Sequence, residues 1–407
     1  MEQHLSRLPL LSDLTLYQSR RTESATPDRR PLFGETLSVE GLFLNCGFNS
    51  RNLPLSGGLG KELASLIVEG STSLSLFHCD VRRFLPQYSE HPDWLNETAT
   101  EAQFKTVSKP LPLDLPLAGR GHIKSPFHDK LKRYNPFNGV TNGYERALFY
   151  LPQLDGPVEP QSYDPSTPQA SSPYKEFLQS IGTPEGQALV KEALEGEVKT
   201  CRNDVVVLDQ SSFGKLWLRG PEALEALEWM CSNKISRPVG SIVYTLLLNE
   251  QAGIEADVTV TRLSDSDFLI VTGAPFRQYN LSFLSKEIYR QGFKCELSDV
   301  TEDFGVLNLQ GPNSRRVLST LTESDISNEA LPYMQCKDIQ IGESKNILTQ
   351  RMTFAGELGF EMYIPKKDCN AIFDRIMATG VRPAGMATLN LLSIEKGFKH
   401  WSGDITC

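Results

Sequence analysis

The sequence lacks most of what a nucleic-acid or membrane protein needs. Its 41 Lys and Arg are outnumbered by 50 Asp and Glu, for a formal net charge of −9. A basic face for a phosphate backbone is therefore not expected. No apolar run reaches the length that spans a bilayer. The eight cysteines (Cys46, Cys79, Cys201, Cys231, Cys295, Cys336, Cys369 and Cys407) are scattered, with no CxxC and no Cys/His cluster of metal-ligand spacing. The expectation is reduced, mostly buried thiols in an intracellular protein and no metal site. No GxGxxG marks a dinucleotide fold, and no internal repeat is present. The arginines of residues 1–30 are accompanied by Glu2, Asp13, Glu23 and Asp28, and transit peptides are poor in acids, so no targeting segment is read there.

The composition that remains, 40% hydrophobic and 22% charged over 407 residues, suits two or three ordinary domains. Residues 1–84 form a first unit. In it, Gly41 to Phe48 predicts a buried strand, Asn49 to Gly60 a loop with Gly57, Gly58 and Gly60, and then a helix follows. Leu59, Leu63, Leu66 and Ile67 give that helix one apolar stripe, and Gly70 its stop. Residues 85–150 are polar, with weak periodicity. Residues 151–175, rich in proline, read as a linker. Residues 176–407 read as one α+β unit. Its expected strands are 205–209, 215–218, 241–248, 257–263, 268–272, 304–310 and 346–354. Its expected helices are 184–194, 221–232, 275–291, 313–321 and 367–379.

The densest chemical signal is Ser236 to Leu263, a strand, a turn at Asn249 to Gly253, and a second strand headed by Asp257. Alternation puts Val258 and Val260 on one face and Asp257, Thr259 and Thr261 on the other. Two readings stay open: a solvent-facing hairpin whose acid blunts an edge, or a carboxylate aimed into a ligand cavity. The segment RMTFAGELGFE (Arg351 to Glu361) pairs two turn glycines with Glu357 and Glu361. Asp209, in VVVLDQSSFGK, either bonds its own backbone or touches a ligand. A glycine loop before a helix N-terminus, as at Asn49 to Gly60, favours an anion or is merely a tight turn. His122 and His128 are read as packing or surface residues.

Together these motifs resemble one family, the sarcosine and dimethylglycine dehydrogenases, in which a flavin amine dehydrogenase is fused to a folate-binding aminomethyltransferase-like module. The similar residues include Ser236-Arg237-Pro238, Gly240-Ser241, Val243-Tyr244-Thr245, Asp257, and the R-x-[ST]-[YF]-x-G-E-x-G-[FYW]-E pattern at Arg351 to Glu361. They also include Gly47-Phe48-Asn49-Ser50, Gly57-Gly58, Gly60, Asp80, Arg82-Arg83-Phe84, Gly143-Tyr144-Glu145-Arg146 and SIEKGFKHW from Ser393. The resemblance implies an α+β chain made of three parts. These are the C-terminal part of an FAD-dependent oxidoreductase domain (1–84), its central domain (85–150), and, after the linker, a GcvT-like folate module (176–407) without its C-terminal barrel. It implies FAD, with an incomplete site here, and tetrahydrofolate as cofactors. Sarcosine is the implied substrate, a flavoprotein the electron acceptor, and the mitochondrial matrix the location. Asp257 is implied to move a proton near folate N10, Glu361 to bind the pterin, and Phe354 to lie beside the ligand. Asn49, Gly57, Gly58 and Gly60 are implied to face the flavin. Leu389-Asn390, where free aminomethyltransferases carry Arg-Asp, points toward the fused enzymes. The alternatives are a dimethylglycine dehydrogenase-like enzyme and a non-catalytic protein like the pyruvate dehydrogenase phosphatase regulatory subunit.

Overall fold

The computed structural model describes residues 24–37, 39–84, 88, 90–107, 116, 118–141, 143–151, 181 and 183–405. The expected linker lies outside them, apart from Leu151.

Strands β1 (Leu32–Glu35) and β2 (Phe43–Cys46) pair antiparallel and are followed by helix α1 (Asn52–Glu69). Gly70 ends α1 in the left-handed conformation (φ 77°), its N–H on Leu66 O, as the sequence suggests. The start differs. The expected glycine loop is helix: Gly57, Gly58 and Gly60 lie inside α1 on its exposed side, and a Cβ at any of them would meet nothing within 4 Å. The helix begins early because Pro54 sits in its first turn, where no intrahelical N–H bond is required. The apolar stripe is partial, with Leu59 buried and Ile67 54% exposed.

Helix α2 (Pro92–Val107) follows. Strands β3 (Ile123–Lys124), β4 (Pro136–Thr141) and β5 (Tyr144–Tyr150) form a small sheet in the order β3-β5-β4, with the short helix α3 (His128–Leu131) between the first two. His122 stacks on Trp94 (5.1 Å between ring centres), a packing role.

The rest of the described chain is built on two larger sheets. Helix α4 (Pro184–Asn203) opens it, its N-terminus capped by Thr183 Oγ1 accepting from Gly186 N–H (3.2 Å). Next come β6 (Val206–Asp209), β7 (Gly214–Arg219), helix α5 (Ala223–Met230), β8 (Ile242–Leu248), β9 (Ile254–Arg262) and β10 (Asp267–Thr272). These are followed by helix α6 (Arg277–Gln291), β11 (Glu296–Asp299), β12 (Phe304–Gln310), helix α7 (Ser314–Ser319), β13 (Gln335–Ile341), β14 (Ser344–Arg351) and β15 (Gly359–Pro365). Helix α8 (Cys369–Ala378), β16 (Arg382–Ala384) and helix α9 (Met386–Lys396) complete the series. The sheet orders are β11-β7-β10-β9-β8 and β13-β14-β15-β12-β6-β16.

Each sheet buries one face under helices. Leu216, Leu218, Val258, Val260, Phe268 and Ile270 pack against Ala226 and Leu227 of α5 and Leu284 and Ile288 of α6. Leu307, Leu309, Phe360, Met362 and Ile364 pack against Val317 and Leu318 of α7 and Ile372, Phe373 and Ile376 of α8. The opposite faces of the two sheets meet each other through Leu269, Val306 and Tyr363. Phe127, fully buried, enters the α8 core and stacks on Phe373 at 5.6 Å. Burying a side chain of that size stabilises by about 2–3 kcal/mol, so the small sheet is tied firmly to the large unit. Among the described cysteines no disulfide forms, but only Cys201 and Cys369 are buried, so the expectation of mostly buried thiols is corrected.

Candidate functional site between the two sheets

Strand β12 pairs with β15 so that Asn308 lies opposite Glu361 and Val306 opposite Tyr363; β14 places Gln350 on the other side of Glu361. With Leu307, Leu309, Phe360 and Met362 committed to the helical core, the strand period turns Asn308, Gln310, Glu361, Tyr363 and Gln350 toward the facing sheet. Gln350 Nε2 reaches across to Thr261 Oγ1 on β9 (2.9 Å).

Glu361 is 8% exposed. Asn308 Nδ2 donates to one carboxyl oxygen (3.1 Å) and Tyr363 Oη to the other (3.2 Å). Burial pushes the carboxyl up to about 7, and the Tyr363 bond only partly opposes this. Two long bonds leave a carboxylate with acceptor capacity to spare. Beside it, Gln350 Oε1 is buried without a partner among the described residues, as are Trp217 Nε1 and Ser212 Oγ.

The motif segment Arg351 to Glu361 is shaped around Gln310. Thr353 Oγ1 donates to Gln310 Oε1 (2.9 Å) and accepts from Ala355 N–H (3.1 Å) and Gly356 N–H (3.0 Å). A Cβ at Gly359 would sit 2.0 Å from Gln310 Nε2, so the close approach there requires glycine. Glu357 is tied to Arg202 Nη1 (2.7 Å), which also donates to Ala355 O (2.8 Å), so it holds the turn.

Asp257 lies on β9 opposite Leu246, beyond Thr259, where the pairing with β10 ends. Its neighbours Val258 and Val260 are buried, as the alternation requires. Tyr244 Oη donates to its carboxylate (3.2 Å). Burial raises the carboxyl above its ordinary value; the Tyr244 bond and the nearby His400 act in the opposite direction. The Phe354 ring packs edge-on to His400 (5.0 Å between ring centres) and lies 5.7 Å from Phe398. The dipeptide Thr353-Phe354 therefore connects both groups. Thr353 bonds the Gln310 side of the Glu361 cluster, and Phe354 packs on His400, which lies near Asp257.

Asn49, Gly57, Gly58 and Gly60 belong to a different part of the molecule. The Asn49 amide, 1% exposed, accepts from Thr26 N–H (2.8 Å) and donates to Gly47 O (2.6 Å) and Thr26 Oγ1 (2.9 Å). Asp209 binds Ser211 N–H (3.0 Å) and the Ser211 and Ser125 hydroxyls, so it holds its own turn. Lys215, fully buried, spans that turn to Ser211 O and Phe213 O (2.9 Å each), and burial lowers its ammonium to about 8. Among the described residues no group of three His, Cys, Asp or Glu could hold a metal ion. No described helix is long and apolar enough to cross a membrane.

Sequence reading missed Asn308, Gln310, Gln350 and Tyr363 as members of the site. A signal was present: two carboxamides at period two inside the otherwise apolar strand FGVLNLQ.

The model of the GCVT N-terminal domain matches residues 127–407, and that of the FAD dependent oxidoreductase central domain matches residues 69–125. The mitochondrial sarcosine dehydrogenase of Homo sapiens is 34% identical over 430 aligned residues, covering 100% of this chain and 46% of that protein. The mitochondrial pyruvate dehydrogenase phosphatase regulatory subunit of Mus musculus is 31% identical, covering 98% of this chain and 44% of its own length. This chain thus spans about half the length of the curated relatives it matches. Among solved structures, the glycine cleavage system aminomethyltransferase T of Bartonella henselae superposes at a TM-score of 0.54 with 23% identity. It covers 70% of this chain and 65% of its own and shares the fold. With a family model spanning most of its length, the chain belongs to the GCVT family, joined here to an FAD dependent oxidoreductase central domain.

Proposed function

We propose that the Glu361 cluster on the facing side of the β12–β15–β14 sheet binds tetrahydrofolate and serves the one-carbon half of a sarcosine dehydrogenase-like reaction. In that reaction N-methylglycine is oxidised to an imine and its one-carbon unit passes to folate, releasing glycine. The observation that carries the reading is the carboxylate of Glu361, buried, only lightly bonded, and flanked by Gln350 Oε1, which has no partner among the described residues. A pterin offers the matching chemistry, an amino group and a ring N–H side by side as donors to one carboxylate. Ionising Glu361 against such donors would also offset the burial that now raises its proton affinity.

The residues divide the work by position. Glu361, held by Asn308 and Tyr363, orients the ring. Phe354 covers one side of the ligand. Asp257 takes up and returns a proton beside the reacting nitrogen, help that contributes on the order of 100- to 10,000-fold. When bound, tetrahydrofolate supplies the nucleophilic nitrogens that receive the carbon.

The flavin fits this chain less well. The Asn49 amide is engaged internally, Gly57, Gly58 and Gly60 lie on an exposed helix side, and the sequence has no GxGxxG. FAD, a flavoprotein electron acceptor and the mitochondrial matrix belong to the proposal through the relatives, and no step here runs through the flavin. We also propose the division into residues 1–84, 85–150, a linker over 151–175, and the folate module over 176–407.

Calorimetry with tetrahydrofolate tests the reading: one site per chain is expected, and an absence of both heat and competition by a folate analogue would refute it. In a folate-dependent transfer assay, Asp257→Asn is expected to slow the transfer by at least about 100-fold with little change in folate affinity.

A further inference from the structure

The hydrogen bonds that lead to Glu361 form a chain with one direction, and the chain starts at the turn after β14. Arg202 Nη1 donates to Ala355 O (2.8 Å) and to Glu357 Oε1 (2.7 Å), while its Nε and Nη2 hold Glu395 on α9 (3.1 and 2.6 Å). The carbonyl end of the Ala355–Gly356 peptide is thereby fixed. Its other end, the Gly356 N–H, donates to Thr353 Oγ1 (3.0 Å), and so does the Ala355 N–H (3.1 Å). Those two bonds occupy both acceptor positions of the Thr353 hydroxyl. What remains to Thr353 is its proton, which goes to Gln310 Oε1 (2.9 Å).

The next links follow from that proton. With its oxygen committed to Thr353, Gln310 presents Nε2, which donates to Asn308 Oδ1 (2.6 Å) and over a longer distance to Met352 O (3.3 Å). With its own oxygen taken in turn, Asn308 presents Nδ2 to Gln210 Oε1 (2.9 Å) and Glu361 Oε1 (3.1 Å). Gln310 and Asn308 are fully buried. A carboxamide fits its space either way round, so its partners decide which end points where. An ionised carboxylate accepts and cannot donate. Reversing Asn308 would set a carbonyl oxygen against Glu361, and the two acceptors would repel each other unless the acid kept a proton.

We propose that Thr353 is a positioning residue for Glu361. Its hydroxyl, held on the turn that Arg202 anchors, sets the direction of the amide chain, so that the carboxylate meets an N–H and keeps its remaining acceptor positions for the two donors of a pterin. Thr353 has no bond to Glu361 and acts through Gln310 and Asn308. This rests on the reading of Glu361 as the pterin-binding group.

The test is a double-mutant cycle read by calorimetry with tetrahydrofolate. Thr353→Val keeps the shape and removes the hydroxyl, and is expected to weaken binding about tenfold, the effect of one lost hydrogen bond. Thr353→Ser keeps the hydroxyl and is expected to bind like the parent. In a Glu361→Gln background the valine substitution is expected to change affinity by less than about twofold, because an amide at position 361 pairs with either end of Asn308. Thr353→Ala serves if the valine variant does not fold. Equal losses in the two backgrounds, or a folded chain without the hydroxyl that binds as tightly as the parent, would overturn the proposal. Failure of the underlying reading shows separately, as a Glu361→Gln chain whose own affinity for tetrahydrofolate is unchanged.

Discussion

Two regions of this molecule each bury a glutamate, and burial pushes both carboxyls up to about 7, yet their surroundings differ. Glu197, on α4, accepts from Tyr150 N–H (2.6 Å), Gly385 N–H (2.8 Å) and Thr388 Oγ1 (2.5 Å). It thereby fastens the end of β5 to the N-terminus of α9, where free N–H groups favour a negative charge. Glu361 has two longer bonds, both from side chains of its own sheet, and beside it a carboxamide oxygen with no partner among the described residues. A buried carboxyl is therefore no sign of function by itself. What separates scaffold from candidate site is whether the protein has already filled the carboxylate's acceptor positions.

The largest effect should come from breaking the scaffold. In Glu197→Gln one oxygen is replaced by an NH2 group that must confront an N–H donor. At least one buried donor is then orphaned, at a loss of about 3 kcal/mol of stability. Urea unfolding checks this, and the folded fraction should still bind tetrahydrofolate with unchanged affinity. A loss of affinity without a loss of stability would reverse the roles given to the two residues.

Glu361→Gln should do the opposite. The amide cannot accept both neighbouring pterin donors, so tetrahydrofolate affinity is expected to fall on the order of 100-fold, the effect of one lost charge-assisted pair. Calorimetry on the two glutamine variants side by side makes the comparison direct. Equal affinities would remove Glu361 from the site.

The sequence foreshadowed one of these glutamates and hid the other, for a physical reason. Glu361 stands in a motif whose glycines mark close backbone approach, and Gly359 does press on Gln310. Glu197 stands in EALEGEVK, which reads as a charged helix face; its partners Tyr150, Gly385 and Thr388 are distant in sequence, so only the fold brings them together. The same limit explains the misread elements. Strand β15 was hidden because Gly359 and the turn before it read as a loop, while the strand is held between β12 and β14. Helix α4 runs on past residue 194 through Gly196, which faces open space and is tolerated at about 1 kcal/mol. The glycines of α1 look like a ligand loop in sequence, but their surroundings are empty, and glycine spacing alone cannot reveal that. By contrast, the β8–β9 hairpin was legible, because alternation and the Asn249–Gly253 turn are local. Asn249 Oδ1 accepts from Gly253 N–H (2.8 Å) as such a turn requires.

The smallest expected effect separates the two glutamates by pH without any ligand. For both, the folded-state pKa of about 7 lies above the ordinary value of 4.5. Between those values the unfolded chain binds fewer protons than the folded one, so stability falls as pH rises through the window and levels off above it. At Glu197 burial outweighs the three donors, but glutamine cannot accept from all of them, so the substitution costs stability at every pH. At Glu361 nothing in the ligand-free fold needs the charge, while glutamine still accepts from one neighbour. Ligand-free Glu361→Gln should therefore be more stable than the parent at pH 8 by about 1 kcal/mol, with the difference vanishing near pH 4. Thermal melts across that range would detect it. A variant less stable than the parent at pH 8 would mean that Glu361, like Glu197, belongs to the scaffold.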